Sequence, residues 1–411
     1  MNYELFIAKR IIAGKEYKNS ISSPIIKIAI TAIALGIIIM LIAIATAAGL
    51  QTKIRDKMAG FKGHVQVVNY DNNNSEVSVV PIDKNQDFYP NFKNTSGIKN
   101  IQIFASRGGI LRTETDFEGI VFKGVSTDYD WSFFNEYLVE GRVPNLNLAR
   151  TKEVLLSKTV IDRLQLHLND TILSTFLKNN ANTIPSNRKY RIVGIYNTGF
   201  AQFDKNVMIG DIREVQRLNK WTENEVGGFE ILLDNFDDIK EKGNEIYNQI
   251  GAKLNSRTLV ESYPSIFEWI KLFDNNVWFI IAIMILIASI NMITALLVLI
   301  LERVQMIGIL KALGSNNWAI RKVFLYNASY LVLKGLFWGN CIGLSLLLFQ
   351  KYTGIITLDP ETYYVNEVPV YISFLSILLL NIGTLVLCFL MLLIPSYIIT
   401  KINPAKSIKF A

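Results

Sequence analysis

The chain is poor in the residues that most often carry chemistry. Its 411 residues include 2 cysteines and 2 histidines. Cys341 and Cys388 fall inside apolar stretches, where free cysteine behaves as a small buried hydrophobe. The long polar segment 53–274 has none, which excludes a disulfide framework or a cysteine-based metal site there. His64 and His167 stand alone and read as surface or packing residues. No G-x-x-x-x-G-K-[ST] run is present, so there is no phosphate-cradling loop, and H-E-x-x-H and G-x-S-x-G are missing too. The chain reads as a non-catalytic subunit with no cofactor of its own. If energy is used, another chain supplies it.

Charge is also missing in four places. Residues 28–52, 275–301, 323–350 and 368–400 hold 25, 27, 28 and 33 residues and one charge among them, Lys334. A membrane-crossing helix needs about 20 apolar residues, so each stretch is long enough. This excludes an ordinary soluble globule, a coiled coil and a disordered chain. It also excludes a membrane β-barrel, whose strands are about 10 residues of alternating polarity. Ala45-Thr46-Ala47 looks like a small-residue cleavage site, but the apolar run exceeds the about 7–15 residues of a signal-peptide core. An uncleaved anchor is expected.

The formal net charge of +7 is unevenly placed. Segments 1–27, 302–322 and 401–411 together carry 12 basic and 3 acidic residues, whereas 351–367 has only Lys351 against Asp359, Glu361 and Glu367. Basic residues flank the cytoplasmic ends of membrane helices. Four spans with both termini cytoplasmic satisfy every one of these counts, and the excess is a topology signal before it is a surface for nucleic acid. The expected order is a cytoplasmic interfacial helix (1–24), the first span (25–52), an outer domain (53–274), the second span (275–301) and a cytoplasmic connection (302–322). The third span (323–350), an outer loop (351–367), the fourth span (368–400) and a cytoplasmic tail (401–411) follow.

Alternation predicts strands at His64–Asn69, Gly119–Gly124, Tyr190–Tyr196 and Phe229–Leu233, and at Ile98–Ser106 and Ile110–Arg112 around Gly108-Gly109. Helical spacing covers Lys158–Leu166, Ile212–Leu218 and Ile239–Ile250. The fold class is a membrane protein with four transmembrane α-helices and a large mixed α+β extracytoplasmic domain between the first and second, of a size for two small lobes. Leu177–Lys189 is polar and reads as a protruding hairpin, or as a tolerated surface loop.

Inside the apolar stretches Gly335, Gly339 and Gly343 recur every four residues, a small-residue row that lets helices approach closely. Ala32 and Gly36 do so more weakly. Lys334 near the midplane either snorkels, faces a polar cavity or has a function. In the first span Ile37, Met40, Leu41, Ile44 and Ala48 share one face, which either lines an apolar cavity or touches lipid. The connection 302–322 holds a short helical apolar face from Met306 that stops at Gly314. Such a helix docks on a partner or lies on lipid.

The run Glu302-Arg303 through Met306-Ile307-Gly308-Ile309-Leu310-Lys311-Ala312-Leu313-Gly314 resembles the signature of ABC permeases of the MacB/FtsX type, as does the order of one span, a large outer domain and three spans. Pro404–Ile408 resembles their P-A-E-A-L ending, with Lys406 in place of an acid. The resemblance implies a coupling helix, with Glu302, Arg303, Met306, Gly308, Ile309, Lys311, Ala312, Leu313 and Gly314 seated in a cytoplasmic ABC ATPase dimer that holds ATP and Mg.

More narrowly, the chain is similar to the lipoprotein-releasing LolC/LolE family. Phe6–Arg10 resembles its F-I-A-x-R opening, Gly60–Val65 its G-x-x-x-H-[IV] stretch, and Val160–Thr171 its L-x-L-x-x-G-D segment, with Asn169-Asp170 replacing Gly-Asp. Ile184-Pro185-Ser186-Asn187-Arg188 resembles the edge of that family's carrier-recruiting hook, and Tyr363-Tyr364 its last outer loop. This implies a bacterial inner-membrane subunit that works with a second permease subunit, the same or a different chain. Lipoproteins are the implied substrates and a periplasmic carrier the recipient, docking on Asn180, Ile184, Pro185, Ser186 and Arg188. Other members of the superfamily, acting in efflux or cell-wall hydrolase control, and a non-transporting membrane-anchored sensor or scaffold, are the competing readings.

Overall fold

The computed structural model describes residues 3–13, 22–72, 76–147, 150–176 and 185–402. The chain divides into two compact units, one of residues 1–50, 270–356 and 368–411, the other of residues 51–269 and 357–367.

The first unit is helical and holds most of four helices, Pro24–Lys62, Pro264–Glu302, Asn317–Thr353 and Phe374–Lys401, that are long and apolar enough to cross a membrane. They overrun the uncharged stretches, because helical backbone continues into polar sequence wherever nothing breaks it. The buried interior joins Ile33, Ile37 and Leu41 of the first helix to Met292, Leu296 and Ile300 of the second. Phe324 and Ala328 of the third and Cys388 and Leu392 of the fourth complete it. Leu35, Ile39, Phe337, Trp338, Leu379 and Ile382 point outward and are exposed, as lipid-facing side chains must be. Lys334 is exposed as well, with its ammonium 4.6 Å from the ring centre of Tyr330. A short helix, Tyr3–Ala13, packs on the start of the third long helix with Ala8 buried. The Tyr3 hydroxyl lies 3.1 Å from Ser315 Oγ, and Glu4 pairs with Lys322 at 3.7 Å.

The second unit is built on one ten-stranded sheet. Its strands are β1 (Val65–Asn69), β3 (Ile98–Arg112), β4 (Phe117–Val125), β5 (Leu138–Gly141), β6 (Glu153–Ser157), β7 (Thr171–Phe176), β8 (Ser186–Tyr196), β9 (Val207–Asp211), β11 (Gly228–Leu233) and β12 (Leu254–Thr258). The two short strands β2 (Ile82–Asp83) and β10 (Glu225–Val226) pair apart from it. The order is β12-β1-β11-β3-β4-β9-β6-β8-β5, with β7 bridging β3 and β8. That bridge closes β3, β4, β9, β6, β8 and β7 into a ring, while β11, β1 and β12 form an open wing covered by helix Ile239–Gln249. The two parts share β3 without a break in the sheet. The two strands expected on either side of Gly108-Gly109 are one, and β3 runs straight through. A Cβ on Gly109 would lie 2.7 Å from the Phe176 ring, so this glycine makes room for an aromatic core and does not turn the chain.

That core is aromatic. Phe122 meets Tyr190 edge-on at 5.2 Å, and Phe61 stacks on Phe203 at 4.7 Å and meets Phe134 at 5.3 Å. A buried ion pair joins Lys123 Nζ to Glu230 Oε2 at 2.7 Å, and Gln66 and Gln102 donate to the same carboxylate. Both charges are therefore hydrogen-bonded, the condition under which such a pair is tolerated. Segment 357–367 belongs to this unit. Tyr364 stacks on Phe200 at 4.9 Å, and its carbonyl accepts from Lys57 Nζ at 3.1 Å.

Candidate functional site

The connection after the second long helix folds into helix Val304–Ala312, close to the extent read from its apolar spacing. It ends because Gly314 adopts φ +87°, open to glycine without strain. The Ser315 N–H then closes on the Leu310 carbonyl at 3.0 Å. Asn316 caps the next helix, its side chain accepting from the Trp318 N–H at 3.2 Å.

The two sides of this short helix differ. Ile307 and Gly308 are buried, and Met306 and Leu310 pack against the interior. Ile309 is 47 % exposed, Leu313 78 % and Trp318 47 %, and Ala312 and Gly314 are open beside them. Large apolar side chains thus lie next to a bare glycine on an outward surface. Glu302 and Arg303 stand at the junction with the second long helix.

Lys311 does not share that surface. Its ammonium turns inward and donates to the carbonyls of Ile399 (2.7 Å), Thr400 (3.3 Å) and Ile402 (2.8 Å). Burial lowers its pKa from the ordinary lysine value. The expectation that Lys311 faces a partner is corrected here: the last carbonyls of a helix are short of amide partners, and this cation donates to three carbonyls at the end of the fourth helix. Sequence reasoning missed Arg321 altogether. It donates to Ser396 Oγ at 3.0 Å and to the Leu393 carbonyl at 3.1 Å. The available signal was Pro395, a proline inside an apolar helix that ends within a turn of it.

The face expected to line a lipid cavity is also corrected in part. Ile37, Met40 and Leu41 are buried in the bundle, while Ile44 and Ala48 are half-buried. A Cβ on Gly335, Gly339 or Gly343 would come 2.7, 2.8 or 3.0 Å from Ile33, Ile37 or Leu41. The glycine row therefore brings the third helix against the very side chains assigned to a cavity.

In the second unit Asn180 and Ile184 lie outside the described residues, as do 177–183 and the tail 403–411. Pro185 is exposed, but Ser186 and Arg188 belong to β8, with Phe176 opposite Ser186 and Ser174 opposite Arg188. The strand begins earlier than its apolar run, because backbone pairing with β7 does not require apolar side chains. Thr175 Oγ1 donates to Asn187 Oδ1 at 2.9 Å across that pairing.

The MacB-like periplasmic core domain model matches residues 28–249, more than half of the chain, and the FtsX-like permease C-terminal model matches residues 278–404. The chain belongs to the MacB/FtsX family of ABC-transporter permeases. With its four apolar helices it is a multi-pass inner-membrane protein. It is similar to the lipoprotein-releasing system transmembrane protein LolC of Neisseria meningitidis serogroup B, with 20 % identity over 99 % of each chain. It is also similar to the protein LolE of that system from Haemophilus influenzae, with 19 % identity over 99 % of each chain. Among solved structures, the periplasmic region of MacB from Actinobacillus actinomycetemcomitans is 13 % identical, with a TM-score of 0.32 over 50 % of this chain and 92 % of that one.

Proposed function

We propose that this chain is the permease subunit of a transporter that lifts lipoproteins out of the inner membrane and passes them to a soluble carrier on the outer side. The supporting observation is its likeness, end to end, to relatives named as lipoprotein-releasing proteins. In this reading ATP and Mg sit on a separate ATPase dimer, and a second permease subunit completes the membrane part. The outer domain is residues 53–274, and loop 302–322 with both termini is cytoplasmic. The physical need is clear: acyl chains hold to a bilayer by about 0.8 kcal/mol per buried CH₂, so extraction needs both an energy source and an apolar path.

Ile309, Leu313 and Trp318 are the contact surface for the ATPase. Leu313→Asp combined with Ile309→Asp should lower ATPase copurification while the chain still inserts, and undiminished copurification would count against this surface. Gly308→Asp is a poor test, because Gly308 is buried and a carboxylate there would disturb the bundle. In proteoliposomes holding chain and copurified ATPase, ATP should release a labelled triacylated lipoprotein into a carrier-bound fraction. ATP turnover without release would point to another role within the superfamily.

A further inference from the structure

Helix Val304–Ala312 is joined by the chain to the second and third long helices only. The fourth helix reaches the same region through side chains. Helix Phe374–Ser396 contains Pro395 and gives way to a single turn, Ile398–Lys401. The backbone pairing of the helix loosens over this stretch: the Tyr397 N–H reaches the Ile394 carbonyl, three residues back, at 3.2 Å, and the Ile402 N–H reaches the Ile399 carbonyl only at 3.4 Å. Unpaired carbonyls beside a membrane are costly. Two cations supply charged donors there: Lys311 of the short helix takes the carbonyls of Ile399, Thr400 and Ile402, and Arg321, in the second turn of the third long helix, takes the Leu393 carbonyl and Ser396 Oγ. Ser396 in turn donates to the Leu393 carbonyl at 2.7 Å. The Arg321 guanidinium also lies 5.0 Å from the Trp318 ring centre and 6.0 Å from that of Tyr397. Trp318 is thus at once part of the outward apolar surface and a neighbour of the clamp.

We propose that Lys311 and Arg321 form a two-point clamp that makes the end of the fourth helix move with loop 302–322, so that displacement of the outward surface reaches a helix to which it is not directly joined. The transmission part of this proposal rests on the reading of that surface as the ATPase seat. Lys311 and Arg321 are positioning residues: they hold one moving part to another and touch no substrate.

The test uses the full chain with Cys341→Ser and Cys388→Ala, and with Ile402→Cys as the single thiol. Maleimide labelling of position 402 reads the clamp alone. Lys311→Met keeps the stem but removes all three donors, and labelling should rise about tenfold. Lys311→Arg should stay within about twofold of the parent, since it keeps the charge-assisted bonds. ATP turnover of the copurified ATPase reads transmission. Lys311→Met should leave ATPase recovery unchanged but cut turnover about fivefold or more, with Lys311→Arg restoring it. If Lys311→Met does not yield a monodisperse protein, Arg321→Met is read in the same two assays. Unchanged labelling in both methionine variants overturns the clamp, and faster labelling with unchanged turnover overturns its role in transmission. If the parent chain recovers no ATPase, the reading of the surface fails, and the labelling arm still decides the clamp.

Discussion

Asn340 and Asn381 exchange amide hydrogen bonds between the third and fourth long helices, at 2.6 and 3.0 Å. Each amide also donates to the carbonyl four residues back in its own helix, Leu336 and Ile377. Hydrogen bonds between membrane helices contribute about 0.6–2 kcal/mol. A double-mutant cycle of Asn340→Leu and Asn381→Leu, followed by unfolding in detergent, should therefore return a coupling energy of about 1 kcal/mol. A coupling near zero would mean that the pair orients the helices without stabilising them.

Gly339 and Gly383 make a controlled comparison. A Cβ on Gly339 would lie 2.8 Å from Ile37 and 2.9 Å from the Ala34 carbonyl, whereas one on Gly383 meets nothing within 4 Å. Gly339→Ala should destabilise the bundle by about 1–3 kcal/mol, the usual cost of overpacking. Gly383→Ala should be neutral or slightly stabilising, because alanine is the better helix former. Melting temperatures of the two variants in one detergent decide the matter. Equal melting would show that the first helix yields easily.

His64 contributes stability to the second unit that is lost as acid is added. His64 Nδ1 accepts the Leu233 N–H at 2.8 Å, and burial, with Lys99 a smaller cause, pushes its pKa from an ordinary 6.5 down to about 4. Between those values the unfolded chain binds a proton that the folded one refuses, so stability present above pH 6.5 is lost as pH falls toward 4, by at most about 3 kcal/mol. Asp204 opposes this. Burial raises its carboxyl to about 6 despite the hydrogen bond from Thr198, so the folded state takes up a proton first and gains stability as pH falls from about 6. His64→Asn, whose side-chain oxygen can still accept the Leu233 N–H, removes the unfavourable contribution. Its stability relative to the parent chain should improve steadily from pH 6.5 to 4.5 in thermal unfolding. A constant difference between the two would show that His64 does not titrate in this window.

The spans were legible because charge inside a bilayer is costly enough to be excluded from long runs, and Lys334 is the single exception. Strands such as Val65–Asn69 and Gly228–Leu233 were legible from alternation and from dense apolar runs. What was hidden depended on partners distant in sequence. Gly109 reads as a gap between two strands until Phe176 is placed against it. Lys311 reads as the polar face of a helix until the carbonyls 88 to 91 residues later are brought to it. Ile37 and Leu41 share a face with Ile44 in the sequence, but the glycine row on the third helix decides which of them are covered. The ring closed by β7 was hidden for the same reason: its pairing with β3 joins Thr175 to Ile110, with β4, β5 and β6 between them in the chain.

The last prediction concerns the β7–β8 hairpin, proposed as the seat of the carrier. The paired strands hold its base, with Phe176 opposite Ser186 and Phe176 and Tyr190 buried beneath. Exposed Pro185 stands where the strand begins, its φ fixed by its ring, so the edge of the loop loses little entropy on binding. Arg188 is half-buried, with its Nε shielded from water and its Nη1 donating to the Asn187 carbonyl at 3.2 Å. Because Ser186 and Asn187 are paired backbone, removing them would damage the sheet. The informative deletion is 179–184, joined by a short glycine link. The full chain in detergent should then keep its melting temperature but lose capture of a soluble carrier that takes up triacylated lipoprotein. Arg188→Glu alone should weaken capture by about tenfold or more, since charge-assisted contacts at interfaces often exceed 1.4 kcal/mol. Equal capture by parent and deletion would remove the hairpin from the docking surface. Loss of melting temperature together with capture would assign the segment a structural role instead.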